Sequence, residues 1–139
     1  MTSATELVPA DLRALGEVRE HLAAALSAER WGDDDAIRVM TASTEALANA
    51  LEHGSGPGAR VEMAFTVSRR AASVRVTDAG RPGLPADLDD EPEAPPEAST
   101  HGRGRLLMRA LADEVRIGRR GPGTEVRLGF GRHALAGAA

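Results

Sequence analysis

The chain has 139 residues, a formal net charge of −4 and no cysteine, which excludes disulfides, thiolate metal sites and cysteine catalysis. We expect one domain with a hydrophobic core at this length, and the negative charge argues against nonspecific nucleic-acid binding, which needs Lys and Arg to neutralise phosphates. Since no apolar run resembles a signal peptide or reaches the roughly 18 residues that cross a bilayer, we expect a cytoplasmic protein without a membrane partner.

The first half of the chain predicts two helices. Residues 1–8 are polar, with a short edge strand expected around residues 6–8. Apolar residues at spacings of three and four then predict an amphipathic helix that opens with Pro9 and Asp11 and ends near Arg30. A second helix is expected from residue 33 to residue 54, because three aspartates suit its start and Gly54 suits its end.

Two sides of this second helix carry different residues. We predict a core-facing stripe from the apolar spacing: Ile37, Met40, Thr44, Leu47 and Leu51. Another side is polar, and its members include residues four apart that line up along it: Arg38, Glu45, Asn49, Glu52 and His53. Taken alone, this polar side is typical of a solvated helix face, and His53 is expected to cap free carbonyls at the helix end.

The second half predicts four strands, a long loop and a third helix. Alternating apolar residues predict strands over residues 59–68 and 72–77, joined as an antiparallel hairpin. Prolines and acidic residues crowd residues 80–101, so no regular element is predicted there, and loops of this length are usually functional or disordered. A helix is expected over residues 102–113, with these apolar residues at helical spacing: Leu106, Leu107, Ala110 and Leu111. Strands over 114–118 and 124–130 follow, joined by a Gly-Pro-Gly turn.

This order of elements predicts a two-layer α/β sandwich, with helices on one face of a mixed, mainly antiparallel sheet. Within it, four short motifs follow one another. Glu45-x-x-x-Asn49 lies on a helix, and Asp78-x-Gly80 follows a strand. Gly102-Arg103-Gly104 precedes a helix, and Gly123-Thr124 precedes the last strand. These motifs in this order resemble the nucleotide-binding domain of the GHKL ATPases (the Bergerat fold), over about residues 10–130. Within that superfamily the chain is most similar to the stand-alone anti-sigma-factor serine kinases.

The resemblance gives the polar helix residues a role in handling ATP and Mg²⁺. The Asn49 amide offers the kind of oxygen ligand that Mg²⁺ prefers, and in the family the matching asparagine holds the metal that bridges the triphosphate. Glu45 matches the family's general base, which can take a proton from a water or a serine hydroxyl. The alternative for both residues is an ordinary place on the helix surface.

The resemblance also assigns the adenine side of the site. Asp78 can accept a hydrogen bond from the adenine amino group, while Gly80 lets the backbone approach the purine and Gly83 continues the same motif. Thr124 matches a family threonine near the base or the phosphates. The structural alternatives are a plain Asp-x-Gly turn and an ordinary β-branched strand residue.

The phosphate side is predicted from the glycines at the start of the third helix. Free amides at a helix start can bind phosphate oxygens, which gives Gly102 and Gly104 their predicted role. Family members often carry a basic residue shortly before this motif, where the present chain has Ser-Thr-His, so Arg103 or Arg105 is the candidate for the γ-phosphate. Residues 81–101 match the family's lid over the nucleotide.

By resemblance, this is an ATP- and Mg²⁺-dependent serine protein kinase of bacterial transcription regulation. It would hold a sigma factor inactive and phosphorylate a STAS-domain anti-anti-sigma factor, whose unphosphorylated form displaces the sigma factor in partner switching. Family members are often dimers, so a homodimer stays open. The alternatives are an ATP-binding adaptor without kinase activity and a detached histidine-kinase catalytic domain. His21 could be read as a phosphoacceptor, but a sensor histidine kinase needs a two-helix dimerisation segment before its catalytic domain. Barely thirty residues precede the long helix here, so we expect an ordinary surface histidine.

Overall fold

The computed structural model describes residues 1–54, 60–80 and 100–133, apart from the side chains of residues 53, 54 and 100–103. In chain order the elements are β1 Thr2–Pro9, α1 Leu12–Ala28, α2 Asp33–Asn49, β2 Arg60–Val67, β3 Ala71–Thr77, α3 Thr100–Leu111, β4 Glu114–Arg120 and β5 Gly123–Gly131. A π-helical turn, Ala50–Gly54, continues α2. The expected lid lies almost entirely outside the described residues, so its role and the single-domain extent stay predictions. No helix in the described ranges is long and apolar enough to span a membrane.

The five strands form one open sheet in the order β1-β2-β3-β5-β4. Each pairing among them is antiparallel, and the predicted hairpin of β2 and β3 is confirmed, with Met63 opposite Val76. In the centre of the sheet Val74 of β3 lies opposite Leu128 of β5. The helices pack on one face, and the predicted two-layer α/β sandwich is therefore confirmed. Among the described strands the pairing is entirely antiparallel, whereas a mixed sheet was expected.

The hydrophobic core lies between this face and the helices. The predicted alternation in β2 is confirmed, because Val61, Met63, Phe65 and Val67 are all buried. Leu22 and Leu26 of α1 and Val39 of α2 pack against them from the helical layer. Side chains of a strand alternate between faces, so each buried residue in β2 is followed by one on the open face of the sheet.

The first strand is longer than the predicted residues 6–8. It pairs with β2 along its whole length, from Thr2 opposite Val67 to Pro9 opposite Arg60. Small and polar side chains such as Ala4 and Glu6 occupy its inward positions, so the apolar alternation that marks a strand is weak in the sequence. His21 of α1 is exposed, and its Nδ1 lies 2.7 Å from Glu6 Oε1.

The predicted core stripes of α2 and α3 are wrong in part. Ile37 is 61% exposed, whereas Leu47 of the predicted stripe is buried. The rest of the buried apolar side of α2 consists of smaller residues: Val39, Ala42, Ser43 and Ala46. On α3, Leu106 is 56% exposed, whereas Met108 is buried. Alanine and glycine let helices approach their neighbours closely, so the buried side is set by this fit and not by the largest apolar residues.

Helix α2 begins at Asp33, as predicted, but its capping differs from the expectation. Its N-cap is Gly32, which has no side chain to cap the helix, although three aspartates occupy the first turn, where their charge suits the dipole. Asp35 is buried, and its carboxylate binds Arg38. Helix α3 begins at Thr100, two residues earlier than expected, so the Gly-Arg-Gly motif lies inside the helix and not before it.

Candidate functional site

The polar side of α2 meets the start of α3. Glu45 and Asn49 lie one turn apart and are partly buried, and α3 packs along α2. A Cβ on Gly104 would lie 2.5 Å from Glu45 Oε1 and 2.6 Å from Asn49 Nδ2, closer than real Cβ atoms come to other atoms. Two motifs that are far apart in the sequence are therefore in contact, and at this position only glycine fits without moving the two side chains.

Asp78 connects the end of β3 to the start of β5. Its Oδ1 accepts hydrogen bonds from the Gly80 N–H at 2.8 Å and the Thr124 N–H at 3.1 Å. Its own N–H donates to the Thr124 carbonyl at 3.0 Å, which extends the pairing of the two strands by one residue. Both side-chain bonds use Oδ1, so neither of them occupies Oδ2.

Asp78 is 9% exposed, so its carboxyl is largely removed from water. Burial raises its pKa above the ordinary value, because removal from water disfavours the charged form, while the two N–H donors act in the opposite direction. A buried carboxyl with a raised pKa at the end of a strand is typical of functional sites, although structural carboxyls show the same property.

Glycines make the close crossing of these two segments possible. Gly80 has a φ of +83°, a left-handed conformation that side chains disfavour, and a Cβ there would collide with the Pro122 carbonyl. A Cβ on Gly123 would likewise collide with the Asp78 carbonyl. The requirement for glycine at position 80 therefore already follows from contact within the chain. The hydrogen bond from the Gly80 N–H to Asp78 is the one expected of a plain Asp-x-Gly turn, which was the structural alternative to a role in adenine binding.

The remaining candidates divide into those that the structure describes and those outside it. Arg105 follows Gly104 in α3, and partial burial lowers the pKa of its guanidinium. Gly83 lies outside the described residues, as do the side chains of Arg103 and His53, and of Gly102 only the helical backbone is described.

The oxygen atoms of Glu45 and Asn49 on α2 suit a hard cation that takes most of its ligands from outside the protein. Among the described residues there is no group of three or more His, Cys, Asp or Glu side chains placed to bind a metal. Mg²⁺ in nucleotide sites takes one or two protein oxygens and fills its other positions with phosphates and water. The Asn49 amide beside the Glu45 carboxylate fits that kind of coordination.

The role of Arg38 was not predicted from the sequence, which placed this residue on the solvated side of α2. Only 17% of its side chain is exposed, and the guanidinium binds backbone carbonyls of Leu111 and Gly131. The one signal in the sequence is the Asp35–Arg38 spacing of three residues, which brings opposite charges together on a helix.

Comparison with known proteins identifies a family, and the similar solved structures include one of RsbU and RsbW domains and one of a histidine kinase domain. The family model "Histidine kinase-like ATPase domain" matches residues 8–130. The structure of the RsbU and RsbW domains of Rv1364c from Mycobacterium tuberculosis is similar, with a TM-score of 0.68 and 21% identity. That match covers 94% of this chain and 32% of the other, so the present chain spans about a third of that protein.

The second structure is the histidine kinase domain from the Erythrobacter litoralis EL346 blue-light activated histidine kinase. It matches with a TM-score of 0.55 and 25% identity, over 97% of this chain and 71% of the other. Comparison with curated protein sequences gave no significant match.

Proposed function

Because the chain belongs to the family of histidine kinase-like ATPase domains, we propose that it is an ATP- and Mg²⁺-dependent serine protein kinase. We further propose that it acts as an anti-sigma factor whose substrate is a STAS-domain anti-anti-sigma factor. Membership of this family is the evidence for ATP binding and for kinase-like chemistry. Support for the serine substrate and for both partners comes from the order of the four motifs in the sequence, and a homodimer stays a prediction.

One contact carries the proposal. Gly104, in the second turn of α3, lies directly against Glu45 and Asn49 of α2. Unpaired amides at a helix start attract phosphate oxygens, and in α3 these are the amides of residues 100–103, in the turn just before Gly104. The contact of Gly104 therefore brings this helix start close to a carboxylate and an amide side chain. Phosphoryl transfer needs little more from the protein than positioning, charge neutralisation and a group that accepts the proton. This arrangement supports all three needs at one place.

Each residue then has a defined task. The serine oxygen of the substrate attacks the γ-phosphorus, the bond between that phosphorus and the β–γ bridging oxygen breaks, and ADP leaves. Glu45 accepts the proton of the serine hydroxyl. Bound Mg²⁺ would neutralise charge on the phosphates, with the Asn49 amide oxygen among its ligands. The amides at the start of α3 hold phosphate oxygens, and Arg105 or Arg103 is the proposed γ-phosphate contact.

The adenine end is proposed to lie at Asp78, Gly80, Gly83 and Thr124. Oδ1 of Asp78 is held by two backbone N–H groups, so the carboxyl has a fixed orientation. Oδ2 can then accept a hydrogen bond from a donor such as the adenine amino group. An orientation that is set before the ligand arrives reduces the entropy lost on binding.

The test is phosphate transfer from radiolabelled ATP to a purified STAS-domain protein from the organism that encodes this chain. We expect an acid-stable label on the STAS protein in the presence of magnesium. Glu45→Gln should bind ATP and transfer no phosphate, while Glu20→Gln on the exposed side of α1 serves as the matched control and should transfer normally. ATP binding without any transfer would replace the kinase with the ATP-binding adaptor.

A histidine-kinase catalytic domain is the second candidate, favoured by the match to the Erythrobacter litoralis structure over 97% of this chain. Its product would be a phosphohistidine on a separate protein. Phosphohistidine is lost in acid, whereas phosphoserine is kept, so acid treatment of the labelled product separates the two candidates.

A further inference from the structure

Arg38 makes an unusual set of contacts for a residue in the middle of a helix. Its Nη1 donates to the Leu111 carbonyl at 2.7 Å, and its Nη2 donates to the Gly131 carbonyl at 2.8 Å. Nε and Nη2 also donate to Asp35 Oδ1, at 3.2 and 2.9 Å. One guanidinium thus connects α2, the end of α3 and the end of β5.

A second set of bonds fixes the groups around Arg38. The Asp35 carboxylate is 5% exposed, and its Oδ2 accepts a hydrogen bond from the His133 N–H at 3.1 Å. The Gly131 N–H donates to Asp113 Oδ2 at 2.5 Å, and His133 Nε2 lies 2.9 Å from Asp113 Oδ1. The guanidinium therefore has partners that are themselves held in place.

The bond to Leu111 is a helix cap supplied by another helix. The last carbonyls of a helix have no partner inside it and carry the negative end of the dipole. The Met108 carbonyl is taken by the Ala112 N–H, and the Leu111 carbonyl is taken by Arg38. A cation at this end is favourable in charge as well as in hydrogen bonding.

The opposite end of α3 is the end that meets the candidate site. Gly104, Met108 and Leu111 are spaced by four and three residues, so they lie along one side of α3. Gly104 contacts Glu45 and Asn49, Met108 is buried, and Leu111 is bound by Arg38. About 10 Å of rigid helix separates Gly104 from Leu111, so holding one end restricts the direction of the other.

We propose that Arg38 is a positioning residue for phosphate binding. By holding the end of α3 against α2, it sets the start of α3 over Glu45 and Asn49, where the triphosphate is proposed to lie. Arg38 touches no ligand in this proposal, and its effect passes through α3. The inference rests on the proposed function, because it assumes that the start of α3 binds phosphate.

The experiment compares ATP with adenosine, which lacks the phosphates, on wild type and Arg38→Met. Both affinities are measured with magnesium, adenosine by competition or by NMR titration. We expect Arg38→Met to weaken the affinity for ATP about tenfold, the effect of losing one charge-assisted contact between the start of α3 and the phosphates. The affinity for adenosine should change by no more than about twofold. In the absence of nucleotide, amide hydrogen exchange in α3 should become faster in this variant, while exchange in β3 stays unchanged.

Arg132→Met is the matched control. Arg132 also donates to backbone carbonyls, those of Arg69 at 3.0 Å and of Arg30, and it lies at the end of β5. These carbonyls lie between β2 and β3 and between α1 and α2, whereas Arg38 binds the carbonyl that ends α3. We expect Arg132→Met to lower the melting temperature without changing the ratio of the two affinities. Should Arg38→Met fail to fold, Arg38→Lys keeps the charge beside Asp35 but replaces the two nitrogens that reach the two carbonyls with a single one. The ratio should then shift in the same direction.

The outcomes separate this inference from the proposed function. Three outcomes would each overturn the positioning role and leave the kinase proposal standing. The affinities for ATP and adenosine could fall equally, the ratio of the two affinities could be the same in both arginine variants, or amide exchange in α3 could stay unchanged. A wild-type protein that binds no ATP would overturn both. A selective loss of ATP affinity in Arg38→Met, with faster exchange in α3, would support the inference.

Discussion

Replacing Gly104 with alanine tests the contact between the two helices directly. The added Cβ would lie 2.5 Å from Glu45 Oε1 and 2.6 Å from Asn49 Nδ2. Each atom must retreat by about 0.8 to 0.9 Å to reach an ordinary contact of 3.4 Å. Both are the ends of flexible side chains, so they can move, but the move takes them out of the positions proposed for the proton acceptor and the Mg²⁺ ligand.

The expected effects on stability and on function are of different size. Alanine in place of glycine favours a helix by up to about 1 kcal/mol, and pushing two side chains from their rotamers costs about 0.5–1.5 kcal/mol each. The unfolding free energy should therefore change by no more than about 2 kcal/mol. A displacement near 1 Å of reacting groups can cost about a hundredfold in rate, so phosphate transfer should fall by about that factor.

The assay is urea unfolding together with the rate of phosphate transfer to the STAS-domain substrate. Gly16→Ala is the matched control, because Gly16 lies inside α1 and a Cβ there meets nothing within 4 Å. It should raise the unfolding free energy by about 0.5–1 kcal/mol and leave transfer unchanged. If Gly104→Ala transfers phosphate as fast as Gly16→Ala, the contact of Gly104 with Glu45 and Asn49 has no part in the reaction.

Three further outcomes are expected. Asn49→Ala should remove the magnesium dependence of ATP affinity in calorimetry with and without the ion, and a variant that still needs magnesium would remove Asn49 from the metal. Burial raises the pKa of Asp78, so the native state binds the proton more readily than the unfolded state. Stability of the wild type relative to Asp78→Asn should therefore fall as pH rises from the ordinary value of 3.8 through the raised native pKa, which urea unfolding against pH would measure. Leu128→Ala at a fully buried position should cost about 2–5 kcal/mol in the same assay, and a smaller loss would place Leu128 outside the packed core.

Strong periodic patterns allowed most of the elements to be predicted. In β2 every second residue is apolar and buried, because the other face of the strand meets water. The weak alternation in β1 hid most of that strand, since inward positions such as Ala4 and Glu6 carry little apolar signal. The predicted bounds of the helices were close to the observed ones because their apolar spacing is also periodic. The predicted buried sides of the helices were wrong in part. Ala42 and Ala46 are buried and Ile37 is exposed, since the choice depends on which surfaces come close.

The site shows the same division. The order of the four motifs identified the family from the sequence, and Glu45 and Asn49 share a helix side because of the 3.6-residue turn alone. The contact of Gly104 with that pair, and of Gly80 with Pro122, joins segments far apart in the chain, so only packing could establish it.

The sequence alone determined the order of the elements, the sandwich architecture and the polar side of α2, because these depend on spacing between neighbours in the chain. The tertiary structure decided what Arg38 does. Its carbonyl partners at Leu111 and Gly131 are 73 and 93 residues away, and a carbonyl is present in every residue, so no side-chain pattern marks them. Folding brings those carbonyls to a largely buried guanidinium, which then binds them because little water remains to do so.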